Sequence, residues 1–152
     1  MKQVDPYEEL NINAHGVLKP PLLLWLIMLI ETWHLWYFFL ITASGQTRLF
    51  AAGFGWVNFA VEVPAMIVWL VLSRRVPKAP KFVRALWHRG RELLTLSAVG
   101  NIGIILAGAI QADFWDLNSE WVPVGVALLH VWVIVRLWLT SIIRQVFSEF
   151  PD

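Results

Sequence analysis

The chain has 152 residues, of which 58 % are apolar and 15 % charged. Soluble domains run nearer ~25 % charged, and a chain this short has too little interior to hide the apolar excess, so lipid is the solvent these numbers imply. Cysteine is absent, which excludes disulfides, thiolate metal sites, catalytic thiols and palmitoyl anchors; the net charge of +1 says little about partners, and the one basic stretch is short and adjacent to membrane, so nothing suggests nucleic acid.

Residues 1–16 carry Asp5, Glu8 and Glu9 without a basic n-region, so they are not expected to be a cleavable signal peptide. Four apolar segments follow, each near the ~20 residues a helix needs to cross the hydrocarbon core. They are expected at about 20–42, 54–72, 93–110 and 121–143. Their apolar runs are continuous and do not alternate, which favours helices over barrel strands. Pro20 and Pro21 suit a helix start, where a missing N–H costs nothing. The expected fold is an all-α membrane protein: one domain over residues 1–152, four transmembrane helices in an antiparallel bundle.

Lys and Arg set the orientation. The connection 73–92 between spans two and three holds Arg74, Arg75, Lys78, Lys81, Arg84, Arg89 and Arg91. The first hairpin holds only Arg48, and the last holds Asp113, Asp116 and Glu120 without a Lys or Arg. Lys19 precedes span one and Arg144 follows span four. Both termini and the basic connection are therefore expected in the cytoplasm. The ten tryptophans fit this frame as belts at the two interfaces, with Trp33 and Trp132 deeper. Residues 80–91 mix Phe82, Val83, Leu86 and Trp87 with basic side chains. They read either as a short interfacial helix on anionic lipid or as a loop that only sets topology.

Span three carries Ser97, Gly100, Asn101, Ile104, Ala107, Gly108 and Gln111 on one helical stripe. Small residues at this spacing let helices approach closely. Asn101 would bond between helices, and the stripe would face this bundle, a second copy or another membrane subunit.

Polar residues at membrane depth are expensive and need partners. With a rise of ~1.5 Å per residue, Glu31 lies roughly 16 Å and His34 roughly 21 Å along span one, Glu62 roughly 12 Å down span two and His130 roughly 13 Å down span four. These four residues share one slab, and a single polar cluster is expected. Glu31 and His34, three apart, would share a face of their helix, as would Asn58 and Glu62. Pro64 after Glu62 would free a carbonyl and kink span two. Arg136 lies nearer the inner face and would snorkel.

Several readings stay open for the cluster. Glu-x-x-His on a bundle helix with a further Glu and His is the vocabulary of carboxylate metal sites. One such motif does not make a di-iron centre, but Glu31, His34, Glu62 and His130 could hold a single Zn or Fe. His34 and His130 could ligate a b-type haem. Glu31, His34 and Glu62 could pass protons or a substrate. Otherwise the acids are protonated, or paired with His130 and Arg136, and serve only to dock the helices. His15 and His88 read as exposed, and Asp113, Asp116 and Glu120 as a solvated loop. No phosphate loop, nucleophile elbow or zinc-protease helix is present, so no catalytic residue is identified and a cofactor is not the leading expectation.

The junction His15-Gly16-Val17-Leu18-Lys19-Pro20-Pro21, with Asp5 and Tyr7 before it and Leu22-Leu23-Leu24-Trp25-Leu26 after it, resembles the start of the YfeZ-like family. These are small four-span bacterial inner-membrane proteins of unknown function. The resemblance covers about the first 25 residues, implies a bacterial inner membrane and supplies no catalytic residues. The leading functional expectation is an accessory or assembly subunit of a larger membrane complex, on the small-residue face of span three and the lack of a soluble domain. A metal- or haem-binding redox protein and a small proton-coupled carrier are the alternatives.

Overall fold

The computed structural model describes residues 17–45, 56–111 and 121–151. His15, Gly16 and the rest of the acidic leader, Arg48, and the outer-loop residues Asp113, Asp116 and Glu120 lie outside the described residues, as does the side chain of Gln111. Among the described residues all regular structure is helical: α1 (Leu22–Glu31), α2 (Trp33–Ala43), α3 (Trp56–Ser73), α4 (Lys81–His88), α5 (Gly90–Gln111), α6 (Trp121–Leu139) and α7 (Ser141–Ser148).

Three helices, α3, α5 and α6, are long and apolar enough to cross a membrane. The expected first span differs. It is two helices, α1 and α2, bent by 70° at Thr32, and only as a bent pair does it count as a fourth span. No Pro or Gly stands at the bend. Thr32 leaves helical geometry at φ −125°, ψ 27°, and its hydroxyl donates back to the Met28 carbonyl at 2.8 Å, a local bond that competes with the helix ladder. The expected fourth span also ends early. Thr140 is extended at φ −83°, ψ 112°, and the apolar run beyond it is a separate amphipathic helix, α7.

The buried core gathers at one end of the molecule. It joins Leu24, Ile27 and Met28 of α1 to Ala65 and Val68 of α3, Leu94 and Ala98 of α5, and Val133 and Leu137 of α6. Trp87 of α4 and Phe147 of α7 belong to it, their ring centroids 4.7 Å apart. Large apolar side chains elsewhere point outward, as on Leu70, Leu128 and Leu139, which suits acyl chains as solvent. With lipid outside, helix association rests on close packing. A Cβ on Gly100 would stand 2.9 Å from the Val61 side chain, so the glycine sets how near α3 and α5 approach. Pro64 sits inside α3 without ending it, and the next amide, Ala65, donates to Ser97 Oγ of α5 at 3.1 Å.

The small-residue stripe of span three divides. Ser97 and Asn101 are buried in the bundle, whereas Gly103, Ala107 and Gly108 are exposed, with nothing within 4 Å of a Cβ placed on either glycine.

Candidate functional site

The bend at Thr32 strips helix partners from the amides that begin α2, and those amides must bond elsewhere. They find a carboxylate from another helix. Glu62 of α3 is fully buried. Its Oε1 accepts from the His34 N–H at 2.9 Å, and its Oε2 from the Leu35 N–H at 3.2 Å. His34 Nδ1 lies 2.7 Å from the same Oε1. An anion at a helix N-terminus is favoured by the free N–H groups and by the dipole together. Glu62 therefore caps α2 across the bundle and fixes the bend. Trp36 Nε1 donates to Thr32 Oγ1 at 3.0 Å, and Trp33 stacks on His34 with centroids 3.8 Å apart.

A second carboxylate–imidazole couple stands on the other side of the bend. Glu31, the last residue of α1, receives His130 Nδ1 of α6 at 2.9 Å and Asn101 Nδ2 of α5 at 3.4 Å. All three are buried. The couple joins three helices at one point and gives each oxygen of the buried acid a partner.

The four expected residues are bonded as two carboxylate–imidazole pairs, one on each side of the break. Glu31 and His34 were expected on one face of a continuous helix. The break between them turns each to a different partner, Glu31 to His130 and His34 to Glu62. The side chain of Asn58 is half-buried and makes no hydrogen bond among the described residues. Arg136 is exposed, its guanidinium 5.6 Å from the Trp132 ring centroid, and joins neither pair.

Each imidazole meets its acid through Nδ1. This is also how a carboxylate orients a metal-bound histidine. Among the described residues, however, no group of three or more His, Asp or Glu is placed to hold an ion. The couples differ in access. The His34 side chain is 12 % exposed, that of His130 only 1 %. Of the four side chains in the two couples, only that of His34 reaches the outer surface of the bundle.

A further polar assembly went unread in the sequence. Arg75, counted there among the basic residues of a loop, is buried. Its Nη1 donates to the Leu18 carbonyl at 2.7 Å, and its Nη2 to the carbonyls of Glu149 at 3.0 Å and Val146 at 3.4 Å. The guanidinium lies 4.7 Å from the Trp87 ring centroid. Trp87 Nε1 donates to the same two C-terminal carbonyls, at 2.9 Å each. Glu149 Oε2 in turn accepts from the Leu18 N–H at 2.9 Å. Burial pulls the Arg75 pKa below the ordinary arginine value, and the Glu149 charge opposes that shift. The start of α1, the α3–α4 connection and the end of α7 are thereby tied together at one end of the bundle. No sequence signal separates Arg75 from its basic neighbours, but Ile142, Ile143, Val146 and Phe147 do mark an amphipathic helix after Thr140.

Helices with apolar exteriors around two interior carboxylate–imidazole couples define an integral membrane protein. The chain belongs to DUF2919, a family described as proteins of unknown function, whose model matches residues 7–149. It is similar to "Inner membrane protein YfeZ" of Escherichia coli (strain K12), with 28 % identity over 157 residues, 96 % of this chain and 97 % of that protein. The resemblance carried by the first residues thus extends along nearly the whole chain. No solved structure matches at a significant level.

Proposed function

We propose that this is a proton-coupled protein of the bacterial inner membrane, in which the charge of Glu62 sets the angle of a broken first span. One observation carries the reading: a buried acid caps the freed amides of α2 beside a histidine that the surroundings can reach. As an anion, Glu62 accepts three bonds at once. As a neutral acid it turns one oxygen into a donor and loses the attraction of the helix N-terminus. The cap then weakens and α2 is released from α3. Broken helices whose ends meet a charge at membrane depth are also the working parts of secondary transporters. In this reading the Glu31–His130–Asn101 group is the fixed joint about which the break works. The chain forms one membrane domain with four crossings, α1 and α2 making one bent crossing, and the Lys/Arg bias puts both termini in the cytoplasm.

The absence of cysteine makes the test direct. Spin labels are placed on cysteines substituted for Leu40 of α2 and Leu70 of α3, both well exposed. The expected result is a label-to-label distance that changes between pH 5 and pH 8, and no change in Glu62→Gln. A distance independent of pH in the native chain, or an unaltered response in Glu62→Gln, overturns the proposal.

A second reading, an accessory subunit of a larger complex, is favoured by the outer half of α5, where Gly103, Ala107 and Gly108 stand open. Ala107→Leu with Gly108→Leu would then release a partner recovered in mild detergent. Recovery of the chain alone from native membranes counts against it.

A further inference from the structure

We propose that the groove between the end of α3 and α4 holds an acyl chain of one anionic phospholipid, with the phosphate over Arg74 and Lys78. The groove encloses about 530 Å³, within the ~300–1,000 Å³ of ordinary small-molecule sites. Val71 and Val83 are buried beneath it, while Leu70 and Phe82 stand exposed on its walls. Arg74 and Lys78 line it as well.

Two features select the occupant. The first is level. Along α3 and just past its end the lining runs from Ile67 and Leu70 to Arg74, so the groove straddles the change from apolar to basic chain. A phospholipid changes from acyl chain to head group over the same short distance. The second is charge. Three other cations of the connection are engaged: Arg75 is buried in its carbonyl cage, Arg84 lies 5.3 Å from the Phe150 ring centroid and Arg91 lies 4.7 Å from that of Trp138, while Lys81 and Arg89 are exposed but do not line the groove. Arg74 and Lys78 make no side-chain hydrogen bond or ion pair among the described residues. Lys78 also holds φ at 63°, a left-handed conformation that glycine or asparagine adopts more readily. A lysine there keeps a second cation at the groove. A protein helix seated here would cover the apolar walls but has no need of paired cations at one lip.

The test is native mass spectrometry of the full chain in detergent, with phosphatidylglycerol and phosphatidylcholine supplied in equal amounts. One phosphatidylglycerol is expected to be retained about 10- to 30-fold over phosphatidylcholine, from the attraction each cation exerts on an anionic head group. Arg74→Gln with Lys78→Asn should bring the two lipids level. Lys81→Gln with Arg89→Gln, which removes two exposed cations that do not line the groove, should leave the preference intact. Equal retention of both lipids by the native chain overturns the proposal, as does an equal loss in the two double variants. Inorganic phosphate that displaces phosphatidylglycerol at similar concentration also overturns it, since the apolar walls would then contribute nothing. A second copy of the chain found in place of the lipid does the same.

Discussion

At Glu62 one carboxylate serves three donors, so the substitutions that remove it are not equivalent. Glu62→Ala leaves two backbone amides and an imidazole without an acceptor, and an unmade buried bond costs the whole desolvation of the group. A loss of about 2–4 kcal/mol is expected, read as a lower melting temperature in detergent. Glu62→Gln keeps an acceptor oxygen and should retain at least half of that stability while losing the response to pH. If the two variants are equally stable, the carboxylate does not cap α2. Arg75 poses a similar contrast. Its planar fork reaches carbonyls in different directions, which a single ammonium cannot copy. Arg75→Lys should therefore fall closer to Arg75→Ala than to the native chain, with melting lowered by several degrees, since ~1 kcal/mol moves a chain of this size by about 2–4 °C. A Lys variant that melts like the native protein would reduce Arg75 to a simple charge.

At the scale of the element, the approach of α3 to α5 rests on the missing side chain of Gly100. Gly100→Leu should push the helices apart and lower melting markedly, and Val61→Ala in the same chain should recover part of the loss. A double variant no better than the single one would place the strain elsewhere. Helices α3, α5 and α6 were legible because long uniform apolar runs leave few alternatives in lipid. The bend of span one was not, because its cause lies 28 to 30 residues downstream. Leu22 to Thr42 reads as one apolar run, and the Glu62 carboxylate that receives the freed amides of α2 belongs to another helix. Depth counting placed Glu31, His34, Glu62 and His130 at one level. It carried no information on azimuth, and azimuth decided the pairing. At Thr140-Ser141 the run of apolar residues on both sides masked the end of α6, although the pattern after it was amphipathic and not uniform.

At the scale of the whole molecule, the orientation set by Lys and Arg can be checked on a chain without native cysteine. A single cysteine at Lys78 or Ser148 should resist an impermeant thiol reagent in intact inner-membrane spheroplasts and react once they are opened. A cysteine at Asn118 should react in both. Labelling of position 78 from outside would reverse the topology. The carbonyl cage of Arg75 bears on how the chain is made as well as on how it stands. Its acceptors Val146 and Glu149 lie 71 and 74 residues downstream, with α5 and α6 between. These two acceptors are made only after α5 and α6, so that part of the cage closes late in synthesis. A chain whose last helix has not docked therefore keeps the Arg75 guanidinium short of two of its three carbonyl acceptors, a difference that separates unfinished molecules from finished ones.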